Sequence, residues 1–196
     1  MRIFNTHHRV FQIDILGQLS SMLFILIIVQ GLSGCSDKRQ NSPEAGEKFP
    51  LSALDQVNNL GDKKVNLKNK TLLINFWATW CAPCRKEMPD LQRLSIALDQ
   101  SQFAVIGISV DDDTNLVKEF LLRHKIRFTN FQDEKQKIAS QLLNIQVFPE
   151  TFIVSPTGTI IKRVTGERIW DENMFKNLLR NAHQVEATLA ASQAFG

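Results

Sequence analysis

Two of the chain's three cysteines, Cys81 and Cys84, lie in the segment ATWCAPCRKEMP at residues 78–89. Cysteines in a C-x-x-C pair can bind a metal, attach a haem, form a structural disulfide or alternate between dithiol and disulfide. A c-type haem needs a histidine directly after the second cysteine, and Arg85 stands there. A structural zinc site needs about four ligands, and the other cysteine and the histidines show no matching spacing. Haem attachment is therefore excluded and structural zinc is disfavoured.

The position of the cysteine pair favours redox chemistry. The pair follows the apolar run TLLINFW at residues 71–77, which predicts a buried strand, and precedes Met88, Leu91, Leu94 and Leu98 at helical spacing. The first turn of a helix stabilises a thiolate relative to a thiol, because unpaired N–H groups and the positive end of the helix dipole lie there. A purely structural disulfide of this spacing would close a very short loop and constrain the unfolded chain little. Cu(I) binding by two thiolates remains an alternative.

The remainder of the sequence alternates predicted strands and helices. FAVIGISV at residues 103–110 predicts a second buried strand, and a short strand is expected in RFTNFQD at residues 127–133. The runs ETFIVS and TIIKRVTG, on either side of a Pro/Gly turn at residues 156–158, predict a β-hairpin. Residues 49–67 predict another β-hairpin on the N-terminal side of the cysteines. This order of elements predicts an α/β fold with a central mixed β-sheet flanked by helices.

Three further helices are predicted from apolar residues at helical spacing. The first is capped by Asp113 or Thr114, the second covers residues 134–144, and the last opens at Trp170 and Asp171. The residues predicted to face inward on these helices are Leu116, Phe120 and Leu121; Ile138, Leu142 and Leu143; and Met174, Phe175, Leu178 and Leu179.

The third cysteine, Cys35, follows an apolar run from Leu19 to Val29. This run is too short for a bilayer-spanning helix of roughly 20 residues and is typical of the core of a secretory signal peptide. The residues LSGC that end at Cys35 resemble the lipobox of bacterial lipoproteins. That resemblance implies a lipoprotein signal peptide at residues 1–34 and a membrane attachment through lipidated Cys35. A cleaved signal without lipid and an uncleaved anchor are the alternatives, and all three place the domain outside the cytoplasm.

The composition of the remaining chain indicates one domain with two short appendages. Residues 35–47 are polar and predict a flexible tether from Cys35. We expect the folded domain at residues 48–185 and a C-terminal tail at residues 186–196. The net charge of +3, with its signs mixed along the chain, predicts no nucleic-acid partner.

The segments LINFWATWCAPCRKEMPDLQRL and VFPETFIV carry a resemblance that extends over residues 48 to about 180. They resemble the active-site segments of the extracytoplasmic TlpA/ResA/CcmG (DsbE) branch of thioredoxin-fold proteins. The resemblance implies a thioredoxin-like fold, here with the N-terminal β-hairpin as an extension. It also implies thiol–disulfide oxidoreductase activity that uses no cofactor and no metal.

The resemblance assigns roles to the residues around the cysteines. Cys81 matches the cysteine that attacks a substrate disulfide, and Cys84 matches the one that resolves the mixed disulfide. Glu87 matches an acidic residue that assists proton transfer when Cys84 is released. The alternative for Glu87 is a solvated side chain that pairs with Lys86 or Arg85.

Four further residues are implied in substrate binding. Trp80 matches an indole that flanks the sulfurs, and Pro83 lies between them and affects the redox potential. Pro149 matches a cis-proline beside the cysteines, and Phe148 departs from the small or aliphatic residue often found before it. Asn75 replaces the buried aspartate of thioredoxin itself, so a general base must come from elsewhere.

Partners follow from the same resemblance. Related proteins mostly reduce disulfides in exported proteins, such as apocytochromes c or copper-site proteins, and are recharged by an electron donor in the membrane. Two alternatives to this function remain. One is a thioredoxin-fold binding module or Cu(I) metallochaperone without redox turnover. The other, a peroxidase, is disfavoured because such enzymes lack a resolving cysteine at this close spacing.

Overall fold

The computed structural model describes residues 42–61, 65–177 and 179. The predicted signal peptide, lipidation site and C-terminal tail, and also Leu178, lie outside these residues. In the described part of the chain, none of the helices combines the length and the hydropathy needed to cross a bilayer.

A six-stranded mixed sheet forms the centre of the domain, as predicted. Its strands are β1 (Asn58–Asn59), β2 (Thr71–Trp77), β3 (Phe103–Ser109), β4 (Thr129–Gln132), β5 (Glu150–Val154) and β6 (Ile160–Thr165), in the spatial order β1-β4-β3-β2-β5-β6. Strand β3 runs parallel to both β2 and β4, whereas β5 runs antiparallel to β2 and β6. All seven residues of β2 are buried, because the strand lies inside the sheet and both of its faces are covered.

Three α-helices pack around this sheet. They are α1 (Ala82–Ala97), α2 (Thr114–Arg123) and α3, which is described over residues 172–177. Helix α1 buries Met88, Leu91, Leu94 and the following Leu98, which confirms the predicted stripe. Asp113 caps α2 by accepting the backbone N–H groups of Asn115 and Leu116, one of the two caps that the sequence predicted.

Two predicted inward-facing leucines are instead exposed at the surface. In α2 the buried residue is Val117, and Leu116 is 47% exposed. An apolar stripe that includes Leu116 and one that includes Val117 both fit the helical spacing, so the spacing alone could not decide which residue is buried. The segment predicted as a helix over residues 134–144 forms a 3₁₀ turn (Glu134–Gln136) and a π-helix (Lys137–Leu142).

The π-helix changes which leucine faces the core. Its hydrogen bonds span five residues, and the N–H of Leu143 accordingly bonds to the carbonyl of Ile138. Leu143 is buried with Ile138, as predicted, whereas Leu142 is 37% exposed. The prediction for Leu142 was wrong because it assumed the α-helical period.

The predicted N-terminal β-hairpin is also wrong in the described residues. Leu51–Gln56 form a 3₁₀ helix, and β1 then pairs antiparallel with β4 at the opposite side of the sheet from β6. Ala53 and Leu54 are both buried. Adjacent residues of a strand point to opposite faces, so a helical turn allows both side chains to reach the core where a hairpin strand would expose one.

The segment before the 3₁₀ helix lies against β6. The N–H of Gly46 donates to the carbonyl of Ile160 and the N–H of Ile160 donates to the carbonyl of Glu47, each at 2.8 Å. The backbones of Lys48 and Thr159 form a further isolated antiparallel β-bridge. The last residues of the predicted tether are therefore hydrogen-bonded to the domain.

A chain of three charged side chains joins this segment to β5. Glu150, only 1% exposed, accepts hydrogen bonds from Arg163 at 3.0 and 3.3 Å and from the Thr165 hydroxyl at 2.9 Å. Arg163 also donates to the exposed Glu44 at 2.7 Å. The guanidinium thus satisfies a buried carboxylate on one side and binds the N-terminal segment on the other.

We expect Arg163→Met to destabilise the domain, because it leaves the buried Glu150 carboxylate without its cation while keeping an aliphatic side chain. Breaking a buried ion pair costs about 3–5 kcal/mol, and we expect about 2–3 kcal/mol here since Arg163 is partly exposed. Urea denaturation of the oxidised protein measures this loss.

Glu44→Gln is the matched control, since it removes only the exposed partner of Arg163 and should change the unfolding free energy by well under about 1 kcal/mol. The double variant Arg163→Met/Glu150→Gln should recover part of the loss. Equal effects of Arg163→Met and Glu44→Gln would contradict this account of the buried pair.

Candidate active site

The two cysteines lie where β2 ends and α1 begins. They form a disulfide, and their Cα atoms are 5.3 Å apart. Cys81 is the N-cap of α1, and its sulfur accepts the backbone N–H of Cys84 at 3.3 Å. Pro83 occupies the first turn, where a missing N–H costs no helical hydrogen bond.

The two cysteines differ in their exposure to solvent. Cys81 is 6% exposed, whereas Cys84 is fully buried within α1. Of the two cysteines, Cys81 is thus the one that keeps some contact with solvent. This asymmetry agrees with the attacking and resolving roles predicted for the two residues.

A buried carboxylate holds the loop that precedes Cys81. Asp111, at the end of β3, accepts hydrogen bonds from the backbone N–H of Thr79 at 2.9 Å and from its hydroxyl at 2.6 Å. The hydroxyl of Ser109 donates to the same carboxylate at 2.8 Å. Arg85 donates to the carbonyl of Thr79 at 2.9 Å. The loop is thus fixed from both sides, an arrangement that the sequence interpretation missed.

An aromatic pair forms the surface next to Cys81. Trp80 is 60% exposed, and its ring meets that of Phe148 edge-to-face, with centroids 5.9 Å apart. The Phe148–Pro149 peptide bond is cis, as the resemblance implied. The structure therefore places Trp80 beside the proline loop, and the substrate-binding roles of Trp80, Pro83, Phe148 and Pro149 stay predictions.

Glu87 lies one helical turn after Cys84 and is 1% exposed. Its Oε1 accepts a hydrogen bond from the Asn75 amide at 2.7 Å. Its Oε2 accepts one from the backbone N–H of Arg168 at 3.1 Å and one from the Trp170 indole at 3.0 Å. The predicted alternative, a solvated Glu87 paired with Lys86 or Arg85, is therefore wrong.

Burial raises the pKa of the Glu87 carboxyl above its ordinary value of 4.5. The three hydrogen bonds from Trp170, Arg168 and Asn75 favour the charged form and offset part of this rise, while the nearby charge of Glu167 adds to it. Lys86 binds Glu167 at 3.6 Å rather than Glu87. Among the described residues, no cationic side chain binds the buried Glu87 carboxyl, which suits it to exchange a proton.

Trp170 and Thr151 belong to this site although the sequence interpretation did not place them there. Trp170 was expected only to open the last helix, and Thr151 was expected only in a strand. Thr151 Oγ1 accepts the second Asn75 amide hydrogen at 2.9 Å. A buried indole N–H generally needs an acceptor, but the sequence could not show which carboxylate supplies it.

The described residues contain no cluster of three or more His, Cys, Asp or Glu side chains arranged to hold a metal ion. The sulfurs of Cys81 and Cys84, once reduced, are the groups that could bind a soft ion such as Cu(I).

A C-x-x-C disulfide at the start of a helix, a neighbouring cis-proline loop and a central mixed sheet together define a thioredoxin-fold thiol–disulfide oxidoreductase. The AhpC/TSA family profile matches residues 45–163, and the chain belongs to this family. The thiol–disulfide oxidoreductase ResA of Bacillus thuringiensis (strain Al Hakam) is 30% identical over 162 residues, which cover 78% of this chain and 90% of that protein. These matches confirm the resemblance drawn from the active-site segments.

Solved structures share the fold. A putative thiol:disulfide interchange protein DsbE from Chlorobium tepidum superposes with a TM-score of 0.57 at 20% identity, covering 72% of this chain and 97% of that one. StoA from Bacillus subtilis superposes with a TM-score of 0.56 at 19% identity, covering 70% of this chain and 99% of that one. The predicted thioredoxin-like fold is thereby confirmed.

The raised pKa of Glu87 predicts how stability depends on pH. Folding favours the protonated carboxyl, so the contribution of Glu87 is fully present below the unfolded value near 4.5 and is lost as the pH rises through the folded pKa. We therefore expect the oxidised wild-type protein to lose stability relative to Glu87→Gln over this interval.

Urea denaturation of both proteins at a series of pH values above 4.5 measures the difference in unfolding free energy. A difference that stays constant, or that changes in favour of the wild type as the pH rises, would contradict the raised pKa.

Proposed function

We propose that the protein is an extracytoplasmic, membrane-tethered oxidoreductase that reduces disulfides in exported proteins through a Cys81/Cys84 dithiol–disulfide cycle. The observation that carries this proposal is the asymmetry of the pair: Cys81 keeps 6% exposure, whereas Cys84 is fully buried one turn before Glu87. A structural disulfide would require neither a buried proton acceptor nor an exposed aromatic surface beside it.

The first half of the cycle transfers two electrons to the substrate. The Cys81 thiolate attacks one sulfur of the substrate disulfide, and the other substrate sulfur leaves as a thiolate that takes up a proton. The Cys84 thiol then loses its proton to the Glu87 carboxylate and attacks the Cys81 sulfur. The second substrate sulfur leaves, and the Cys81–Cys84 disulfide forms.

The second half restores the dithiol. One thiolate of a dithiol donor in the membrane attacks Cys81 of the disulfide, and Cys84 leaves as a thiolate. The donor's second thiolate then attacks the donor sulfur bonded to Cys81, so that the donor becomes a disulfide and Cys81 leaves as a thiolate. The protonated Glu87 carboxyl then supplies a proton to Cys84. Because burial raises the pKa of Glu87, its protonated form persists to a higher pH than that of an exposed glutamate.

Trp80, Phe148 and Pro149 are the groups that we propose to contact the substrate. The edge-to-face pair of Trp80 and Phe148 presents an apolar surface next to the partly accessible Cys81. Val147, 53% exposed, extends that surface along the chain. An extended apolar segment around the target disulfide matches this surface, and Pro83 limits how the turn between the cysteines solvates a thiolate.

The cellular location is proposed from the N-terminal residues. The lipobox-like LSGC motif supports lipidation of Cys35, and several acyl chains on one residue would hold the domain at a membrane. The substrates proposed are exported proteins with oxidised cysteine pairs, such as apocytochromes c or copper-site proteins. The similarity to a thiol–disulfide oxidoreductase supports disulfide exchange as the reaction, and the substrate class is proposed from the resemblance of the active-site segments.

Substitution of the cysteines tests the cycle. Cys81→Ser should reduce insulin-disulfide reduction to the background rate, because no thiolate remains to attack. Cys84→Ser should still attack but accumulate mixed disulfides, which can be isolated from the native host and identified. Turnover that survives Cys81→Ser would contradict the proposal.

Cys35→Ser is the matched control, since it removes the other cysteine of the chain without touching the pair. It should keep the insulin-reduction activity of the wild type and lose membrane association. If Cys35→Ser remained in the membrane fraction, the lipid anchor would be wrong while the cysteine cycle would stand.

The reduction potential of the Cys81–Cys84 couple tests the direction of electron flow. A protein that reduces exported disulfides should have a potential of about −270 mV, like thioredoxin. Equilibration with glutathione or dithiothreitol buffers, followed by quantification of the free thiols, measures it. A potential near about −120 mV, like that of the oxidant DsbA, would reverse the proposed direction.

A further inference from the structure

The hydrogen bonds around Glu87 all run in one direction. The Asn75 amide, the backbone N–H of Arg168 and the Trp170 indole each donate to the carboxylate oxygens. A carboxylate only accepts hydrogen bonds, so this arrangement fits the ionised form. A protonated carboxyl would point its O–H at one of these three donors.

One neighbour of Glu87 can change from donor to acceptor. An indole and a backbone N–H only donate, whereas an asparagine side chain has a donor end and an acceptor end. Asn75 is fully buried, and its Oδ1 has no hydrogen-bond partner among the described residues. Rotation of the amide therefore sacrifices no hydrogen bond at Oδ1.

Thr151 can follow such a rotation. Its hydroxyl now accepts the second amide hydrogen of Asn75, and it can equally donate to an oxygen in the same place. Two hydrogen bonds link Asn75 to Glu87 and Thr151 before rotation, and two would link them afterwards. The two orientations thus form equal numbers of bonds with Glu87 and Thr151, and each leaves the far end of the amide without a partner among the described residues.

We propose that the Asn75 side-chain amide turns by about 180° when Glu87 takes up its proton, so that Oδ1 accepts the carboxyl O–H. Asn75 is then a positioning residue that allows one buried carboxyl to exist in both protonation states. This inference rests on the proposed role of Glu87 in moving a proton to and from Cys84. An aspartate at position 75 would place a second carboxyl there instead.

Among the described groups that face Glu87, Asn75 is the one that can change its hydrogen bonding when Glu87 takes up a proton. From α1, Cys84 is bound in the disulfide and Lys86 is turned toward Glu167. From the segment after β6, Glu167 opposes ionisation, and the Arg168 guanidinium donates to the carbonyl of Glu167. From β2 and β5, Asn75 and Thr151 are neutral.

Nuclear magnetic resonance of the full-length oxidised protein tests the rotation without any turnover. The two Asn75 side-chain N–H resonances are followed while the pH is lowered through the Glu87 titration. Rotation removes both amide hydrogens from their acceptors, so both resonances should move upfield together. If only one moved, the bond to Thr151 would persist and the proposal would be wrong.

Glu87→Gln supplies a fixed analogue of the protonated state. Its amide nitrogen needs an acceptor where Glu87 Oε1 now accepts, so the Asn75 resonances should show the low-pH pattern at every pH. The wild-type high-pH pattern in Glu87→Gln would overturn the proposal. A protein that shows the rotation but fails to reduce insulin would refute the proposed function and leave the rotation intact.

Two variants test whether Asn75 bonds to both protonation states of Glu87 or only donates to the carboxylate. Trp170→Phe removes a group that can only stabilise the carboxylate, so it should raise the pKa of Glu87 in a carboxyl ¹³C titration. Asn75→Leu removes a partner of both forms and should shift that pKa less. A larger shift in Asn75→Leu than in Trp170→Phe would show that Asn75 acts only as a donor. If either variant does not fold, the wild-type and Glu87→Gln spectra decide.

Discussion

The burial of a carboxyl group behind a reactive disulfide is the constraint on which this site depends. An unpaired buried charge is costly, and the fold offsets that cost with donors from two places: strand β2 and the segment between β6 and α3. Trp170 and Arg168 are more than 80 residues from Glu87 in sequence. The site is therefore complete only when the C-terminal part of the domain has packed.

A second polar connection positions the sulfur side of the site. Asp111 lies two residues after β3 and holds Thr79 through the backbone and the side chain of that threonine. The neighbouring parallel strands thus determine where the loop before Cys81 can lie, while α1 determines where Cys84 lies. Hydrogen bonds in a buried network are strong because the local dielectric is low. These hydrogen bonds hold the loop before Cys81 in one conformation, so that the two sulfurs keep a fixed geometry for disulfide exchange.

Local chemistry made much of this protein predictable from its sequence. The apolar runs of β2 and β3, the Pro/Gly turn before β6 and the Asp113 cap are each set by neighbouring residues. Leu116 was wrongly predicted to be buried because tertiary packing, not helical spacing, decides whether Leu116 or its neighbour Val117 faces the core. Leu142 was wrongly predicted because tertiary packing also decides that its segment forms a π-helix. The alternative prediction that Glu87 is exposed to solvent was wrong for a similar reason. The groups that donate hydrogen bonds to the Glu87 carboxylate, above all the Trp170 indole, come from distant segments that no local sequence pattern links to Glu87.

The segment at residues 46–48 also changes how the sheet meets its surroundings. Strand β6 is the last strand of the sheet, and an open edge of this kind offers unpaired N–H and C=O groups to other chains. Here the edge groups of Ile160 are already bonded to Gly46 and Glu47. For a protein that we propose to be tethered to a membrane, this pairing leaves fewer free groups at the start of the β6 edge for strand-to-strand contact between neighbouring copies.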